Sequence, residues 1–274
     1  MRHVRLRGPN GVEHGVVEDA VVLTEGGERI ELIDPDRLAL PEPYELLLPL
    51  EPPEVWCAGV TYERSRDARI EESAVRDVYS LVYDAERPEL FLKDAAGRRT
   101  VGPGRPVGIR SDSAWNVPEP EIGLVLGDDG DIVGATIGND VSSREIEGAN
   151  PLYLPQAKVY AGACALGPAV LSPLPDEPFE IRLRIFGLSG EELFSGETST
   201  SRMKRSFGEL VEFLVRDNPV PGGSVLLTGT GLVPPDDFTL EPGHVVEIEV
   251  PGIGTLSNPV VLATRLVERN AAHV

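Results

Sequence analysis

Short segments of this chain alternate hydrophobic and polar residues, which is the period of half-buried β-strands. The pattern is clearest at residues 181–186 and 245–250. Residues 122–126 and 132–137 are strongly apolar, and they flank the polar sequence Asp-Asp-Gly-Asp at 128–131. Because a short polar turn containing glycine between two apolar runs is typical of a hairpin, we predict two antiparallel strands here.

One helix has a clear predicted start and end. Ser206 and Glu209 have the spacing of a capping box, and Asn218-Pro219 marks the expected end of the helix. Four apolar residues form its predicted buried face: Phe207, Leu210, Val211 and Leu214. A weaker apolar stripe with helical spacing lies between residues 63 and 84.

The N-terminal part of the chain looks like a separate small unit. Residues 1–50 contain short apolar runs typical of strands, and the proline-dense segment 35–53 has the composition of a linker. We therefore predict a small β-rich N-terminal domain at 1–50 and a second, larger domain at 51–274. Strands predominate and helices are few, so the predicted fold class is α+β.

The charge of the chain excludes several kinds of partner. Its 274 residues carry a formal net charge of −20, with an isoelectric point near 4.6. Neither nucleic acid nor an anionic membrane surface is an expected partner, since no basic stripe is present to bind phosphates. No apolar run has the length of a membrane span, and Cys57 and Cys164 are typical of reduced buried thiols. The expected location is the cytoplasm.

Several common types of catalytic site are absent from the sequence. It contains no Gly-x-Ser-x-Gly elbow and no phosphate-binding Walker loop. The four histidines (His3, His14, His244 and His273) are scattered, which argues against a zinc site or a histidine-activated nucleophile. Chemistry based on carboxylates and lysine remains.

The segment from 118 to 158 carries the strongest candidate site. Glu119 and Glu121 are two residues apart, so on an extended strand both project from the same face. Asp140 and Lys158 follow, and Lys158 is one of three lysines in the chain. Three carboxylates are a suitable ligand set for a hard divalent cation such as Mg²⁺. The alternative is a solvated acidic strand with a surface lysine.

A series of motifs in this chain resembles the fumarylacetoacetate hydrolase superfamily. They span roughly residues 55–265 and occur in the family's order, so the resemblance does not depend on one short motif. The matching segments are 59–62, 90–93, 101–104, 119–121, 138–144, 158, 228–230, 240–246 and 252–258. Within the superfamily, residues 83–89, 115–121 and 146–158 resemble in particular the branch of 2-keto-3-deoxy-pentonate dehydratases.

This resemblance implies a fold, a cofactor and an assembly. The implied fold is a β-rich mixed β-sandwich roll of the fumarylacetoacetate hydrolase type. Glu119, Glu121 and Asp140 match the family's ligands for Mg²⁺, with Mn²⁺ or Ca²⁺ as alternatives. Lys158 matches the active-site lysine, and we assign catalytic roles to Lys158 and Glu119. The family also implies a homodimer or a tetramer.

Further residues match positions that line the pocket in relatives. The implied substrate-binding residues are Ser65, Phe91, Lys93, Lys158, Gly229 and Thr230. Each has a plain structural alternative: Ser65 as a helix cap, Phe91 and Lys93 on a buried strand with an exposed lysine, and Gly229-Thr230 as an ordinary turn. Arg144 is expected to pair with Asp140 or Glu147 rather than to contact the substrate.

One departure from the family pattern bears on the reaction. Hydrolytic relatives carry a histidine and a glutamate that activate water, and Ser65 and Ala68 occupy those positions here. The resemblance therefore implies a metal-dependent dehydratase that converts a 2-keto-3-deoxy-pentonate to 2-oxoglutarate semialdehyde in oxidative pentose catabolism. A hydrolase or decarboxylase of acylpyruvates, oxaloacetate or fumarylacetoacetate-like 2-oxo acids is the alternative, followed by a non-catalytic binding protein.

Overall fold

A computed structural model describes residues 1–64 and 82–271. Ser65, Ala68 and most of the apolar stripe predicted between 63 and 84 lie outside the described residues. In chain order the strands are β1 (Arg2–Gly8), β2 (Gly11–Glu18), β3 (Val21–Thr24), β4 (Arg29–Glu31), β5 (Glu45–Leu46), β6 (Glu54–Gly59), β7 (Glu89–Ala95), β8 (Thr100–Val101), β9 (Val107–Ile109), β10 (Asn116–Val117), β11 (Pro120–Leu126), β12 (Ile132–Asp140), β13 (Ser142–Ser143), β14 (Cys164–Leu171), β15 (Glu180–Phe186), β16 (Glu192–Ser199), β17 (Val225–Leu227), β18 (Val245–Val250) and β19 (Gly254–Leu262). The α-helices whose bounds both lie within the described residues are α1 (Arg144–Ala149), α2 (Leu154–Lys158), α3 (Phe207–Val215) and α4 (Ala263–Ala271).

Two sheets form most of the fold in the described ranges. The larger sheet has the strand order β4-β3-β2-β1-β14-β12-β11-β17-β6-β7, with β5 paired to β1 and β8 paired to β14. The smaller sheet has the order β16-β15-β18-β19-β9. Strands β15, β18 and β19 pack on β11, β12 and β14, and the main hydrophobic core lies between them. The predicted α+β class with a mixed β-sandwich is confirmed.

Strands β1 to β5 form the N-terminal part of the larger sheet. They enclose a small hydrophobic cluster of their own, which includes Val4, Leu6 and Val22. Strand β1 pairs with β14, so this part is continuous with the main sheet by hydrogen bonds. The segment 35–53, predicted as a linker, contains β5, which pairs with β1. The domain boundary at residue 50 stays a prediction.

The predicted hairpin at 122–137 is confirmed as β11 and β12. Both strands are almost completely buried, because the smaller sheet covers one of their faces. Their register places Glu121 opposite Gly138. Just before β11, the carbonyl of Glu119 accepts a hydrogen bond from the Asp140 N–H at 2.9 Å. The hairpin register therefore brings three carboxylates that are up to 21 residues apart to one place.

The helices differ in how well the sequence indicated them. Helix α3 begins as predicted, with the Ser206 hydroxyl accepting the Glu209 N–H at 3.2 Å, but it ends at Val215, before Asn218. Helices α1 and α2 have six and five residues, and both follow β12 closely. None of the helices in the described ranges has the length and apolarity needed to cross a membrane.

Candidate active site

Three carboxylates form a buried cluster at the end of the β11–β12 hairpin. Glu119, Glu121 and Asp140 each offer one oxygen, and these oxygens lie within 4.8 Å of one another. The exposed fractions of the three residues are 3%, 1% and 1%, so the alternative of a solvated acidic strand is wrong. Buried charges of one sign are costly unless cations or hydrogen-bond donors compensate them. The surrounding residues supply both cations and hydrogen-bond donors.

Lys158 lies between two of these carboxylates. It is the last residue of α2, and its Nζ is 2.6 Å from Glu119 Oε2 and 2.9 Å from Asp140 Oδ2. It also donates to the Ser142 hydroxyl at 2.6 Å. Only 2% of the residue is exposed, so the alternative of a surface lysine is wrong.

A backbone amide holds the third carboxylate. The Gly229 N–H donates to Glu121 Oε2 at 2.6 Å. Gly229 has a φ of +88°, and a Cβ there would lie 2.1 Å from the Thr61 hydroxyl oxygen. Glycine is therefore required by both the backbone conformation and the close approach of Thr61. In this structure the predicted substrate-binding amide of Gly229 supports Glu121.

Arg144 supplies a second buried cation, with an exposed fraction of 1%. Its Nη2 lies 2.9 Å from Glu119 Oε1, whereas the sequence suggested Asp140 or Glu147 as its partner. It is the first residue of α1, whose N-terminus is capped by the Ser143 hydroxyl. One turn later on the same helix, Glu147 is also buried. Sequence reasoning had not assigned either residue to the site.

The cluster opens into a pocket. Its described lining consists of Ala58, Gly59, Val60, Glu89, Phe91, Glu119, Glu121, Asp140, Arg144, Glu147, Lys158, Gly229 and Thr230. The predicted residue Phe91 is among them, and its ring centroid lies 5.8 Å from the Lys158 Nζ. Glu89 was not predicted. A Cβ on Gly59 would lie 2.0 Å from Glu89 Oε2, so glycine at position 59 makes room for this carboxylate.

Two predicted substrate-binding residues make contacts within the protein. Lys93 is completely buried, forms an ion pair with Asp140 Oδ1 and donates to the Val141 carbonyl at 3.0 Å. It is not in the described pocket lining, and the alternative of an exposed lysine is wrong. The Thr230 hydroxyl donates to the Leu232 carbonyl at 3.1 Å, although Thr230 also lines the pocket. The substrate-binding roles of both residues stay predictions.

The donor set fits a hard divalent cation. All three candidate ligands are carboxylates, which Mg²⁺, Mn²⁺ and Ca²⁺ prefer. Burial first, and then the charges of Asp140 and Glu119, raise the pKa of Glu121 well above its usual range. A cation at the cluster would oppose both effects by favouring the ionised carboxylate.

Comparison with known proteins assigns the family. Residues 54–261 match the family model described as fumarylacetoacetate (FAA) hydrolase, C-terminal. The chain belongs to the fumarylacetoacetate hydrolase family. It is 49% identical over 243 residues to a probable 2-keto-3-deoxyxylonate dehydratase of Haloferax volcanii, covering 88% of this chain and 81% of the relative. It is 45% identical over 221 residues to 2-dehydro-3-deoxy-D-arabinonate dehydratase of Saccharolobus solfataricus, covering 77% and 73%.

Solved structures agree with this assignment. A hexagonal crystal form of 2-keto-3-deoxyarabinonate dehydratase matches with a TM-score of 0.85 and 35% identity, over 96% of this chain and 99% of the other. The same kind of enzyme complexed with magnesium and 2,5-dioxopentanoate matches with a TM-score of 0.82 and 35% identity, over 95% and 98%. The resemblance to the dehydratase branch of the fumarylacetoacetate hydrolase family, and the fold expected from it, are therefore confirmed.

Metal binding should release a proton from Glu121, because its pKa is raised in the structure while a ligand carboxylate must be ionised. The apparent affinity for Mg²⁺ should therefore rise with pH, by up to about tenfold per pH unit for one proton, until the carboxyl is ionised without the metal. Calorimetric titration in two buffers of different ionisation enthalpy measures the release. Glu121→Gln should bind metal poorly. An affinity and a heat that do not depend on pH or buffer would contradict the assignment of Glu121.

Proposed function

We propose that this protein is a Mg²⁺-dependent dehydratase of a 2-keto-3-deoxy-pentonate, with 2-oxoglutarate semialdehyde (2,5-dioxopentanoate) as its product. The observation that carries the proposal is the likeness, over 95% of the chain, to a dehydratase whose structure holds magnesium and 2,5-dioxopentanoate. The buried triad of Glu119, Glu121 and Asp140 supports it, because these carboxylates suit such an ion. Oxidative pentose catabolism is the corresponding metabolic role.

The reaction removes a proton from C3 and the hydroxyl group from C4 of the substrate. A bound divalent cation supplies Lewis-acid polarisation of the 2-oxo group. Lys158 in its neutral amine form is the proposed group that takes the C3 proton and becomes an ammonium, since it lies at the pocket and among the candidate metal ligands. The unsaturated product then tautomerises to the semialdehyde: C5 loses a proton while C3 takes one up from Lys158 or water, and the resulting C4–C5 enol gains a proton at C4 as its hydroxyl becomes the aldehyde. Glu119 orients Lys158 through their 2.6 Å contact.

The hydrolase alternative lacks the pair of residues that activates water in hydrolytic relatives. Ser65 and Ala68 stand where hydrolytic relatives have the water-activating histidine and glutamate. A dehydratase does not need to activate water for attack on carbon, so the substitution is compatible with the proposed reaction. Lys158 and the carboxylate triad suffice for proton removal next to a polarised ketone.

We expect this enzyme to convert a 2-keto-3-deoxy-pentonate to the semialdehyde in the presence of Mg²⁺, and to release little pyruvate from an acylpyruvate. A substrate panel with product identification by mass spectrometry measures this. A chelator should abolish turnover, and Mg²⁺ or Mn²⁺ should restore it. Rapid cleavage of the acylpyruvate, or full turnover with no metal detected by elemental analysis, would overturn the proposed function.

Lys158→Met should lower kcat by about 10²–10⁴, the usual scale for a lost acid–base group, while metal binding stays largely intact. Wild-type enzyme in D₂O should place deuterium at C3 of the product. Lys204→Met is the matched control, because Lys204 pairs with Asp84 at 2.6 Å and is not in the described pocket lining. Near-wild-type turnover of Lys158→Met would show that another group removes the proton.

We further propose that the protein is a homodimer, or a tetramer built from one, in the cytoplasm. Strand β7 ends the larger sheet in the described residues, and uncovered sheet edges favour association. Leu92 on this strand is 39% exposed, and Leu152 near the pocket helices is 84% exposed. Cys57 and Cys164 are free and buried, in keeping with a reducing compartment.

Sedimentation at micromolar concentration should give the mass of a dimer or tetramer, because burial of the β7 edge and of exposed apolar side chains favours the oligomer. Leu92→Glu, which adds a charge to that strand, should shift the distribution towards smaller species. A wild-type protein that sediments as a monomer would contradict the proposed assembly.

A further inference from the structure

Loss of the C4 hydroxyl requires a proton donor that the residues assigned so far do not supply. Hydroxide is a poor leaving group, so a general acid must protonate it as the C–O bond breaks. In the proposed function Lys158 takes the C3 proton as a neutral amine, and the ammonium that results directs its three hydrogens to Glu119, Asp140 and Ser142. The three triad carboxylates must be ionised to bind a metal.

The described pocket lining leaves two candidates. Arg144 is excluded because a guanidinium keeps its protons at any working pH. The Thr230 hydroxyl is directed to the Leu232 carbonyl and is far too weak an acid. Glu89 and Glu147 are the remaining carboxyl groups of the lining. They lie on different elements, since Glu89 begins β7 and Glu147 belongs to α1.

The position of Glu147 in the pocket favours it over Glu89 as the proton donor. Its helix α1 packs against α2, which carries Lys158, so the two side chains reach the pocket from neighbouring helices. The base and the acid act on adjacent carbon atoms, which requires them to lie near each other. Glu147 is 3% exposed, whereas Glu89 is half-buried and packs against Gly59.

Helix α1 also holds Glu147 in a defined position. The Ser143 hydroxyl caps the helix by accepting the Ile146 N–H at 3.3 Å. The Arg144 side chain, one turn before Glu147, is tied to Glu119 at 2.9 Å. The helix is thereby fixed to the metal-binding cluster, and a catalytic group gains most from such support by rigid elements.

We propose that Glu147 is a catalytic residue of the dehydration, the general acid that protonates the departing C4 hydroxyl. This inference rests on the proposed function. The C3–H bonding pair forms the C3–C4 double bond as the neutral Lys158 amine takes the proton and becomes an ammonium, and the C4–O bonding pair leaves with the oxygen. Glu147 gives its proton to that oxygen, water departs, and the carboxylate is later reprotonated by solvent. No oxidant or reductant is needed.

A substrate whose leaving group needs no proton distinguishes a general-acid role of Glu147 from a structural role. The test compares a 2-keto-3-deoxy-pentonate with its analogue carrying fluorine at C4, since fluoride departs without protonation. Glu147→Gln should lose about 10²–10⁴ in kcat on the hydroxyl substrate and release fluoride within a few-fold of the wild-type rate. Its Mn²⁺ affinity, measured by calorimetry without substrate, should match that of the wild type.

Three matched variants complete the experiment. Lys158→Met should be slow on both substrates, because C3 deprotonation is common to them. Glu89→Gln should change both rates by the same factor. Glu145→Gln lies on the same helix, but Glu145 is exposed and accepts the Ala114 N–H at 2.5 Å, so this variant should keep both rates within about threefold of the wild type.

Several outcomes of this experiment would overturn the proposal. Equal losses for Glu147→Gln on both substrates would assign Glu147 a structural role, and full turnover would remove it from the reaction. A loss confined to the hydroxyl substrate in Glu89→Gln would transfer the role to Glu89. If Glu147→Gln does not fold, Glu147→Asp, which keeps the carboxyl group, must show the smaller selective loss. Wild-type enzyme that dehydrates no 2-keto-3-deoxy acid would instead refute the proposed function.

Discussion

The burial of three carboxylates at one point governs the architecture of this protein. Glu119, Glu121 and Asp140 are almost inaccessible to solvent, and their mutual repulsion would oppose folding without compensation. Lys158 contacts two of them and Arg144 contacts Glu119. The remaining carboxylate, Glu121, accepts a hydrogen bond from the Gly229 backbone amide, and burial, followed by the charges of Asp140 and Glu119, raises its pKa. Glu121 is therefore the ligand that gains most from a bound cation.

A second layer of residues fixes these compensating groups. Lys93 binds Asp140 Oδ1 while Lys158 binds Asp140 Oδ2, so one carboxylate is held on both sides. The Val141 carbonyl accepts hydrogen bonds from Lys93 at 3.0 Å and from the Tyr160 hydroxyl at 3.2 Å. Such outer contacts orient metal ligands without touching the ion. The complete burial of Lys93 is understandable in these terms, because its charge is paired with Asp140 and it donates a hydrogen bond to the Val141 carbonyl.

The sequence predicted the parts of this structure that have a regular pattern. The β11–β12 hairpin and the start of α3 followed from alternation, a turn and a capping box, which are local signals. The short helices α1 and α2 were not predicted, since six and five residues are too few to show helical periodicity. The triad and Lys158 were found through motifs. The contacts of Lys93 and Arg144 depend on residues distant in sequence, and spacing alone does not reveal them.

The charges at the site link binding of metal and of substrate. The described pocket lining holds five carboxyl groups, and Arg144 and the neighbouring Lys93 provide two positive charges, with a third from Lys158 when it is protonated. If all are ionised, the site carries a net charge of about −2, which a divalent cation would balance. A 2-oxo acid then adds one negative charge of its own. The cation therefore favours binding of the anionic substrate at the same place where it balances the carboxylates.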